Sequence, residues 1–171
     1  IVKGLLEFSR SDKLDFKTCH LNRLLKETYT LIEHQMKIEN ITFQTDFSAR
    51  EDLILCNGNQ VKQAGIAILL NASEAVLENG IIQINTSNPD EDHIKLEIID
   101  NGSGIAQEDI PHIFEPFFST KEKASGIGLG LAIVHGIVQN HNGKIDVDSN
   151  LGRGTTLSIT LPVVTSPVTK S

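Results

Sequence analysis

The stretch Ile98-Ile-Asp100-Asn-Gly102-Ser-Gly104 joins an apolar run to an aspartate and two glycines. Residues 93–100 alternate apolar and polar side chains, which predicts a strand that ends at Asp100. An ionised aspartate only accepts hydrogen bonds, so it can receive one from an exocyclic amine such as that of adenine. Glycines directly after it let the backbone approach a flat ring. A plain Asp-Asn-Gly turn is the alternative, and this stretch alone does not decide between them.

The segments on either side of this strand predict a mixture of helices and strands. Apolar residues at helical spacing indicate helices over residues 21–37, from an N-cap at Asn59 to about 78, and over about 128–140. Further strands are expected over residues 41–47, 53–55, 81–86, 144–149 and 155–161, with a polar connector at 11–17 and a turn at 87–90. Strict βαβ alternation is absent. We therefore expect a two-layer α/β sandwich, with a mixed, largely antiparallel sheet and about three helices on one face.

Composition limits the classes of function. The 171 residues suffice for one domain, and the formal charge of −7 argues against a general nucleic-acid surface. The longest apolar run, residues 64–70, is too short to span a bilayer, and no signal peptide is visible. We expect a cytoplasmic domain and leave membrane anchoring of the parent protein open. Cys19 and Cys56 are interpreted as reduced packing residues.

A second glycine-rich motif, Gly126-Ile-Gly128-Leu-Gly130-Leu131, precedes a predicted helix. Backbone N–H groups at a helix N-terminus carry partial positive charge and suit phosphate, although a flexible loop before a closely packed helix is the alternative. A dinucleotide fingerprint would require glycine in place of Leu131. A Walker A loop is excluded as well, because Gly143-Lys144 is followed by isoleucine.

Three weaker signals accompany these motifs. Asn71 lies in an apolar helix, where its amide oxygen could bind Mg²⁺ or could simply be buried and satisfied by the backbone. The aromatic stretch 113–121 predicts either a clamp on a loop or a small separate core, and its Lys121 either approaches phosphates or is solvated. The segment Gly152-Arg-Gly154-Thr155 would, by itself, be a hairpin turn.

Together, in this order and spacing, the motifs resemble the asparagine box, the three glycine boxes and the phenylalanine box of sensor histidine kinases. The five matching stretches are Asn71, Asp100-x-Gly-x-Gly104, Phe114-x-Pro-Phe-Phe118, Gly126-x-Gly-x-Gly130 and Gly152-x-Gly-Thr155. The resemblance implies the ATP-binding sandwich shared with gyrase, MutL and a heat-shock chaperone. It covers residues 15–162 as the catalytic domain, with the end of a dimerisation and phosphoacceptor helix at 1–14 and a flexible tail at 163–171.

The resemblance also implies roles for individual residues. Asn71 would hold Mg²⁺ and, with Lys121, assist catalysis, while Asp100 would bind adenine and Thr155 would support the adenine pocket. Residues 105–125 would form a lid over ATP. The full set of residues expected to bind ATP, or ADP as product, is Asn71, Asp100, Gly102, Gly104, Ile105, Phe118, Lys121, Gly126, Ile127, Gly128, Leu129, Gly130, Leu131 and Thr155.

One position departs from the pattern. Hydrolases of the superfamily carry a glutamate four residues before the asparagine of the first box, and this chain has Ala67 there. The function that the resemblance implies is transfer of the ATP γ-phosphoryl group to a histidine of a separate dimerisation domain, with a response regulator downstream. A nucleotide-binding signalling module without kinase activity and a self-contained ATPase are the alternatives, and Ala67 disfavours the ATPase.

None of the six histidines has the sequence context of a phosphoacceptor, so all are interpreted as structural. His141 lies near a helix C-terminus, where a cation is favoured. The acceptor histidine is expected on another part of the parent kinase. Because most of the usual dimerisation helix pair is missing from this sequence, we expect the fragment to be monomeric or weakly associating.

Overall fold

The computed structural model describes residues 15–118 and 130–165. In chain order, its elements are β1 (Lys17–His20), α1 (Leu21–Ile38), β2 (Thr42–Phe47), β3 (Leu53–Cys56), α2 (Gly58–Ala75), β4 (Ile81–Asp90), β5 (His93–Asp100), a 3₁₀ turn (Ile110–His112), α3 (Gly130–Asn140), β6 (Lys144–Asn150) and β7 (Gly154–Pro162). No helix in these two ranges combines the length and the apolar character that crossing a membrane requires.

The main sheet has five strands in the order β2-β4-β5-β7-β6. Its β2–β4 pair is parallel, and the other three pairs are antiparallel. Strands β1 and β3 form a separate antiparallel ribbon. The predicted mixed, largely antiparallel sheet is confirmed, and β5 occupies its centre.

The alternation of side chains explains why one face of the sheet is covered. In β5, Ile94, Leu96 and Ile98 are buried, whereas Lys95 and Glu97 point to the opposite, more open face. Strands with this period can cover only one face with apolar groups. The helices supply the second layer, and the shared core lies between helices and sheet.

Helix α2 is held in place by close packing against α1. Gly65 is buried, and a Cβ at this position would lie 3.0 Å from Cγ2 of Thr28. Thr28 is itself buried and donates its hydroxyl hydrogen to the carbonyl oxygen of Leu24 at 2.8 Å. The small residue therefore allows the two helices to approach, which fixes the position of α2 over the sheet.

Asn57, not Asn59, is the N-cap of α2. Its side-chain oxygen accepts a hydrogen bond from the backbone N–H of Gln60 at 3.1 Å, as a cap accepts from the third helical residue. Asn59 lies inside the first turn, so the prediction was wrong by two residues. The helix also ends at Ala75, earlier than expected, since the chain becomes extended at Val76.

Two other boundaries differ from the sequence prediction. The last residue of the predicted connector, Lys17, begins β1, which the sequence analysis missed. The turn expected at 87–90 lies within β4, where the pairing register shifts, and the chain reverses at residues 91–92. The Asn88 side chain supports this irregular segment, because its oxygen accepts from the N–H groups of Arg50 and Glu51.

The described end of the chain returns to the ribbon. The N–H of Val163 donates to the carbonyl oxygen of Asp92, and that of Val164 donates to the carbonyl oxygen of Leu53 in β3, each at 2.9 Å. Val163 also packs against the core. These are the first two residues of the predicted tail, whose residues 166–171 lie outside the described part.

Candidate nucleotide-binding site

Asp100 ends the central strand and points to the helix side of the sheet. Its side chain is 8% exposed, and its Oδ1 accepts a hydrogen bond from the N–H of Gly102 at 2.8 Å. Its neighbours across the sheet are Ile82 in β4 and Thr155 in β7. A carboxylate in this position is oriented by the turn that follows it and belongs to the interior of the sandwich rather than to an open surface turn.

The turn after Asp100 packs against the C-terminal end of α2. A Cβ on Gly102 would lie 2.5 Å from the carbonyl oxygen of Ala75, and the N–H of Ser103 donates to that same oxygen at 3.0 Å. Asn71 precedes Ala75 by four residues, so both lie on one side of the helix. This contact brings the Asn71 side of α2 toward the turn after Asp100.

Asn71 is exposed, so it is not a buried amide satisfied by the core. Its carboxamide oxygen is accessible, and such oxygens are suitable ligands for Mg²⁺. In residues 15–118 and 130–165, no group of three or more histidine, cysteine or acidic side chains has the arrangement of a metal site. An ion at Asn71 would share its coordination with phosphate oxygens and water, as Mg²⁺ commonly does.

On its other side, the same turn contacts the β6–β7 hairpin. Gly104 has φ +73°, and a Cβ there would lie 2.0 Å from the carbonyl oxygen of Asn150. The N–H of Ile105 donates to Oγ of Ser149 at 2.8 Å, and the N–H of Gly152 donates to the carbonyl oxygen of Ser103 at 2.7 Å. Residues 102–105 are therefore fixed between a helix end and a hairpin.

Thr155 enters β7 directly opposite Asp100, and its hydroxyl lies 2.8 Å from Oγ of Ser149. The preceding Gly154 has φ +90°, and a Cβ there would lie 2.0 Å from the carbonyl oxygen of Asp100. Only glycine fits this approach. The motif Gly152-Arg-Gly154-Thr155 thus places the Thr155 hydroxyl on the strand position opposite the buried carboxylate of Asp100. A solvent-exposed hairpin turn would not do this.

The aromatic segment is attached to α3 by one ring. Phe114 stacks on His135 with ring centroids 5.3 Å apart, and Phe118 lies 5.9 Å from His112. Phe117 is 72% exposed and has φ +67°. Within the described residues, the three aromatic rings show no stacking on one another, and the contact of Phe114 with α3 favours the predicted clamp.

Helix α3 begins at Gly130, which Leu131 follows. Five residues predicted to contact the phosphates lie outside the described part of the chain, namely Lys121, Gly126, Ile127, Gly128 and Leu129. The C-terminal end of α3 contacts the N-terminal end of α2, where Asn140 Nδ2 lies 3.3 Å from Gln60 Oε1. The two packed helices therefore run in opposite directions. As a result, Gly130 lies toward the same end of the helix layer as Asn71.

His141, just beyond α3, is a buried, hydrogen-bonded structural residue, as expected, and its imidazole is neutral although a helix C-terminus favours a cation. Its side chain is 5% exposed and stacks on Phe16. Its Nδ1–H donates to the carbonyl oxygen of Ile137 at 2.7 Å, and its Nε2 accepts from the N–H of Asn57 at 3.1 Å. Burial lowers the pKa of His141. An imidazole that accepts at Nε2 cannot carry a proton there, so the helix C-terminus does not hold a charge.

Ser149 belongs to the site as well, although it was not predicted from the sequence. It is 3% exposed and contacts Ile105, Gly154 and Thr155 through its single hydroxyl. A signal was present, because Ser149 shares the inward parity of Ile145 and Val147 in β6. A polar side chain at an inward position of a strand requires hydrogen-bond partners, and here all of them belong to the site.

This fold and site define a class: a sandwich whose central strand presents a buried aspartate, next to glycine turns, toward a layer of three helices. The family model described as histidine kinase-, DNA gyrase B-, and HSP90-like ATPase matches residues 56–165. The chain belongs to this family, as the resemblance of its motifs implied.

Curated relatives include sporulation kinase E of Bacillus subtilis (strain 168), with 33% identity over 163 residues, and the sensor histidine kinase ZraS of Escherichia coli (strain K12), with 34% identity over 165 residues. The match covers 95% of this chain in both cases, but only 22% and 34% of the two relatives. The chain thus spans about a fifth to a third of their length.

Solved structures agree on the fold. The catalytic domain of the histidine kinase ThkA superposes with a TM-score of 0.77 and 30% identity, covering 86% of this chain and 95% of that domain. ShkA in complex with AMPPNP gives a TM-score of 0.79 at 25% identity, covering 90% of this chain and 32% of ShkA. The predicted α/β sandwich is the fold of histidine kinase catalytic domains.

Proposed function

We propose that residues 15–162 form the catalytic domain of a sensor histidine kinase, which transfers the γ-phosphoryl group of ATP to a histidine on a separate dimerisation domain. Residues 1–14 would then be the end of a dimerisation helix, and 163–171 a tail. The relatives are kinases by name, and the family is one of ATPases. The observation that carries the proposal is the buried Asp100 carboxylate with its two glycine turns.

Adenine binding follows from the chemistry of that carboxylate. A buried acceptor oriented by the N–H of Gly102 suits the C6 amino group of adenine. Thr155 adds a hydroxyl on the neighbouring strand. Ile105, whose N–H donates to Ser149, and Phe118 would contact the nucleotide from the side of the predicted lid.

Phosphate binding would occupy the opposite part of the site. Asn71 and the start of α3 at Gly130 and Leu131 lie toward one end of the helix layer, and the residues from Gly126 to Leu129 directly precede α3. A helix N-terminus favours anionic groups. Asn71 would hold Mg²⁺, which offsets charge on the transferred phosphoryl group, and Lys121 would assist. The chain therefore mainly positions ATP for in-line transfer, leaving ADP as product.

The phosphoacceptor histidine and the response regulator are proposed as partners on the same grounds. ThkA, which resembles this chain at 29% identity and a TM-score of 0.77, has been solved in complex with the response regulator TrrA. His20, His93 and His112 each contact an acidic side chain through Nδ1, His135 stacks on Phe114, and His141 is buried. None of them has the sequence context of a phosphoacceptor, so the acceptor is proposed to lie on a separate domain of the parent kinase.

Ala67 bears on the choice between kinase and hydrolase. It lies one turn before Asn71 on α2 and is partly buried against the core. An alanine cannot act as a general base for water, whereas a histidine nucleophile needs none because neutral imidazole already carries a lone pair. The position therefore favours phosphoryl transfer to imidazole over hydrolysis.

The test combines the chain with the phosphoacceptor domain of the parent kinase and ATP labelled at the γ-phosphate. A kinase domain transfers label to that domain, and the label is stable in base and lost in acid. The control is an acceptor domain with its histidine replaced by glutamine. Binding of ATP without transfer would support the signalling module instead, and release of labelled phosphate by the chain alone would support an ATPase.

A further inference from the structure

The hydroxyl of Ser149 lies at the junction of three parts of the site. Its Oγ is 2.8 Å from the N–H of Ile105, 2.9 Å from the carbonyl oxygen of Gly154 and 2.8 Å from the hydroxyl of Thr155. The carbonyl oxygen of Ser149 in addition accepts from Nε2 of Gln107 at 2.6 Å. The residue is buried, so these contacts replace hydration.

Counting protons fixes the direction of each hydrogen bond. A serine hydroxyl has one hydrogen to donate and two lone pairs to accept. The Ile105 N–H can only donate, and the Gly154 carbonyl oxygen can only accept, so the one hydrogen of Ser149 goes to Gly154. The remaining lone pair of Ser149 then receives the hydroxyl hydrogen of Thr155. Thr155 consequently presents only lone pairs to its other neighbours.

Thr155 stands opposite Asp100, with both side chains on the helix side of the sheet. Side chains directly opposed on neighbouring strands are close enough to contact one group. An ionised Asp100 is also only an acceptor. This corner of the site thus offers two acceptors and suits a group that donates two hydrogen bonds, directly or through a water molecule.

We propose that Ser149 is a positioning residue that fixes the Thr155 hydroxyl as an acceptor and thereby favours purines with an amino group at C6 over purines with an oxo group there. The inference rests on the proposed binding of ATP. An unrestrained threonine hydroxyl could rotate and donate to an oxo group, which would weaken the discrimination. Ser149 prevents this rotation because its Oγ accepts the hydroxyl hydrogen of Thr155.

The matched ligands are ATP and inosine triphosphate, which differ in the group at C6 and in the hydrogen on N1 that accompanies the oxo group. The quantity to measure is the ratio of their dissociation constants, by calorimetry, for the parent chain and for Ser149→Ala. Loss of the Ile105 contact should weaken both nucleotides alike and cancel in the ratio. The expected result is a fall in the preference for ATP of about three- to tenfold, as one hydrogen bond changes its direction.

Two further experiments distinguish a positioning role of Ser149 from a general effect of its replacement on the β6–β7 hairpin. Ser158→Ala removes a hydroxyl from β7 on the other face of the sheet, and the ratio should stay at the parent value. In a Thr155→Val background, Ser149→Ala should change the ratio no further, because Ser149 acts through Thr155. An unchanged ratio in Ser149→Ala, an equal fall in Ser158→Ala, or additive effects with Thr155→Val would each overturn the inference.

If Ser149→Ala does not fold, as judged by thermal unfolding, variants at Thr155 give the answer with Ser149 intact. Thr155→Ser should keep the preference for ATP, and Thr155→Val should reduce it; equal ratios in both would overturn the inference. A parent chain that binds neither nucleotide would overturn the proposed function itself. A parent that prefers ATP, together with a Ser149→Ala variant that prefers it equally, would overturn only the role of Ser149.

Discussion

Asp100 and Thr155 face each other across β5 and β7, and Gly154 passes so close to the backbone of Asp100 that a Cβ there would lie 2.0 Å from its carbonyl oxygen. The carboxylate precedes the glycine and the hydroxyl, which are adjacent in sequence, by more than 50 residues. The pairing of the two strands therefore builds the corner of the site that is proposed to bind adenine.

Replacing Asp100 by asparagine should weaken ATP and ADP binding by about ten- to a hundredfold. The amide would turn an N–H toward the amino group of adenine or lose the contact with Gly102, and a hydrogen bond to a charged group contributes about 1.5–3 kcal/mol. Calorimetry on the folded variant measures the change. Glu97→Gln, on the same strand but the opposite face, is the control and should bind like the parent. Asp100→Asn with parental affinity would remove Asp100 from the adenine site.

Alanine at Gly154 should destabilise the domain by at least about 2 kcal/mol, since it combines a strained φ of +90° with a Cβ that meets the backbone of Asp100. Alanine at Gly136 makes a matched comparison. This glycine is an exposed residue of α3, and a Cβ there meets nothing within 4 Å. Gly136→Ala should stabilise the domain by about 0.5–1 kcal/mol. Urea unfolding of the two variants checks both signs, and similar effects would contradict the described packing.

Acid should destabilise the domain through His141. Its folded pKa is lowered from 6.5 by burial, so the unfolded chain binds the proton more readily. The neutral His141 contributes its full stabilisation at pH values above its pKa in the unfolded chain. This stabilisation is lost as the pH falls through about 6.5 toward the lower pKa that His141 has in the folded chain. One such group changes the free energy of unfolding by at most about 1.4 kcal/mol per pH unit.

The measurement is urea unfolding between pH 8 and pH 5. His141→Gln should flatten the curve in the acid range, whereas His34→Gln, at an exposed position of α1, should leave its slope unchanged. An equal slope in the parent and in His141→Gln would show that the neutral imidazole is not the group responsible.

Cys56 should resist alkylation in the folded chain. It is fully buried, and burial together with the neighbouring thiol of Cys19 raises its pKa to about 12, so the reactive thiolate is scarce. Cys19 is partly exposed and should react first. Mass spectrometry after iodoacetamide treatment, with and without urea, distinguishes the two sites. Rapid labelling of Cys56 in the native chain would contradict its burial.

The local pattern of apolar and polar side chains was enough to predict the sandwich. Side chains alternate with a period of two in β4 to β7 and follow helical spacing in α1 to α3, because each element buries one face. The order of the motifs indicated the family, which the family model confirmed. Asp100 and Thr155 were predicted as part of one site, and the structure brings them together.

Other features depend on contacts that sequence does not display. Strand β1 is four residues long and exists through its pairing with β3, and Asn57 caps α2 although Asn59 has the same side chain. His141 is neutral because Asn57, 84 residues away in the chain, donates to it. In each case a partner distant in sequence determines the state of the residue, and local propensity carries no information about that partner.

The ribbon of β1 and β3 has a consequence for how this unit joins its neighbours. Chain entry at Lys17 lies beside Cys56, and the described chain leaves where Val164 donates to Leu53, three residues along the same short strand. At about 3.4 Å per residue, Leu53 and Cys56 are about 10 Å apart along β3. A mechanical load applied at either of these points would therefore act on the ribbon of β1 and β3 first, and only then on the pocket proposed for adenine.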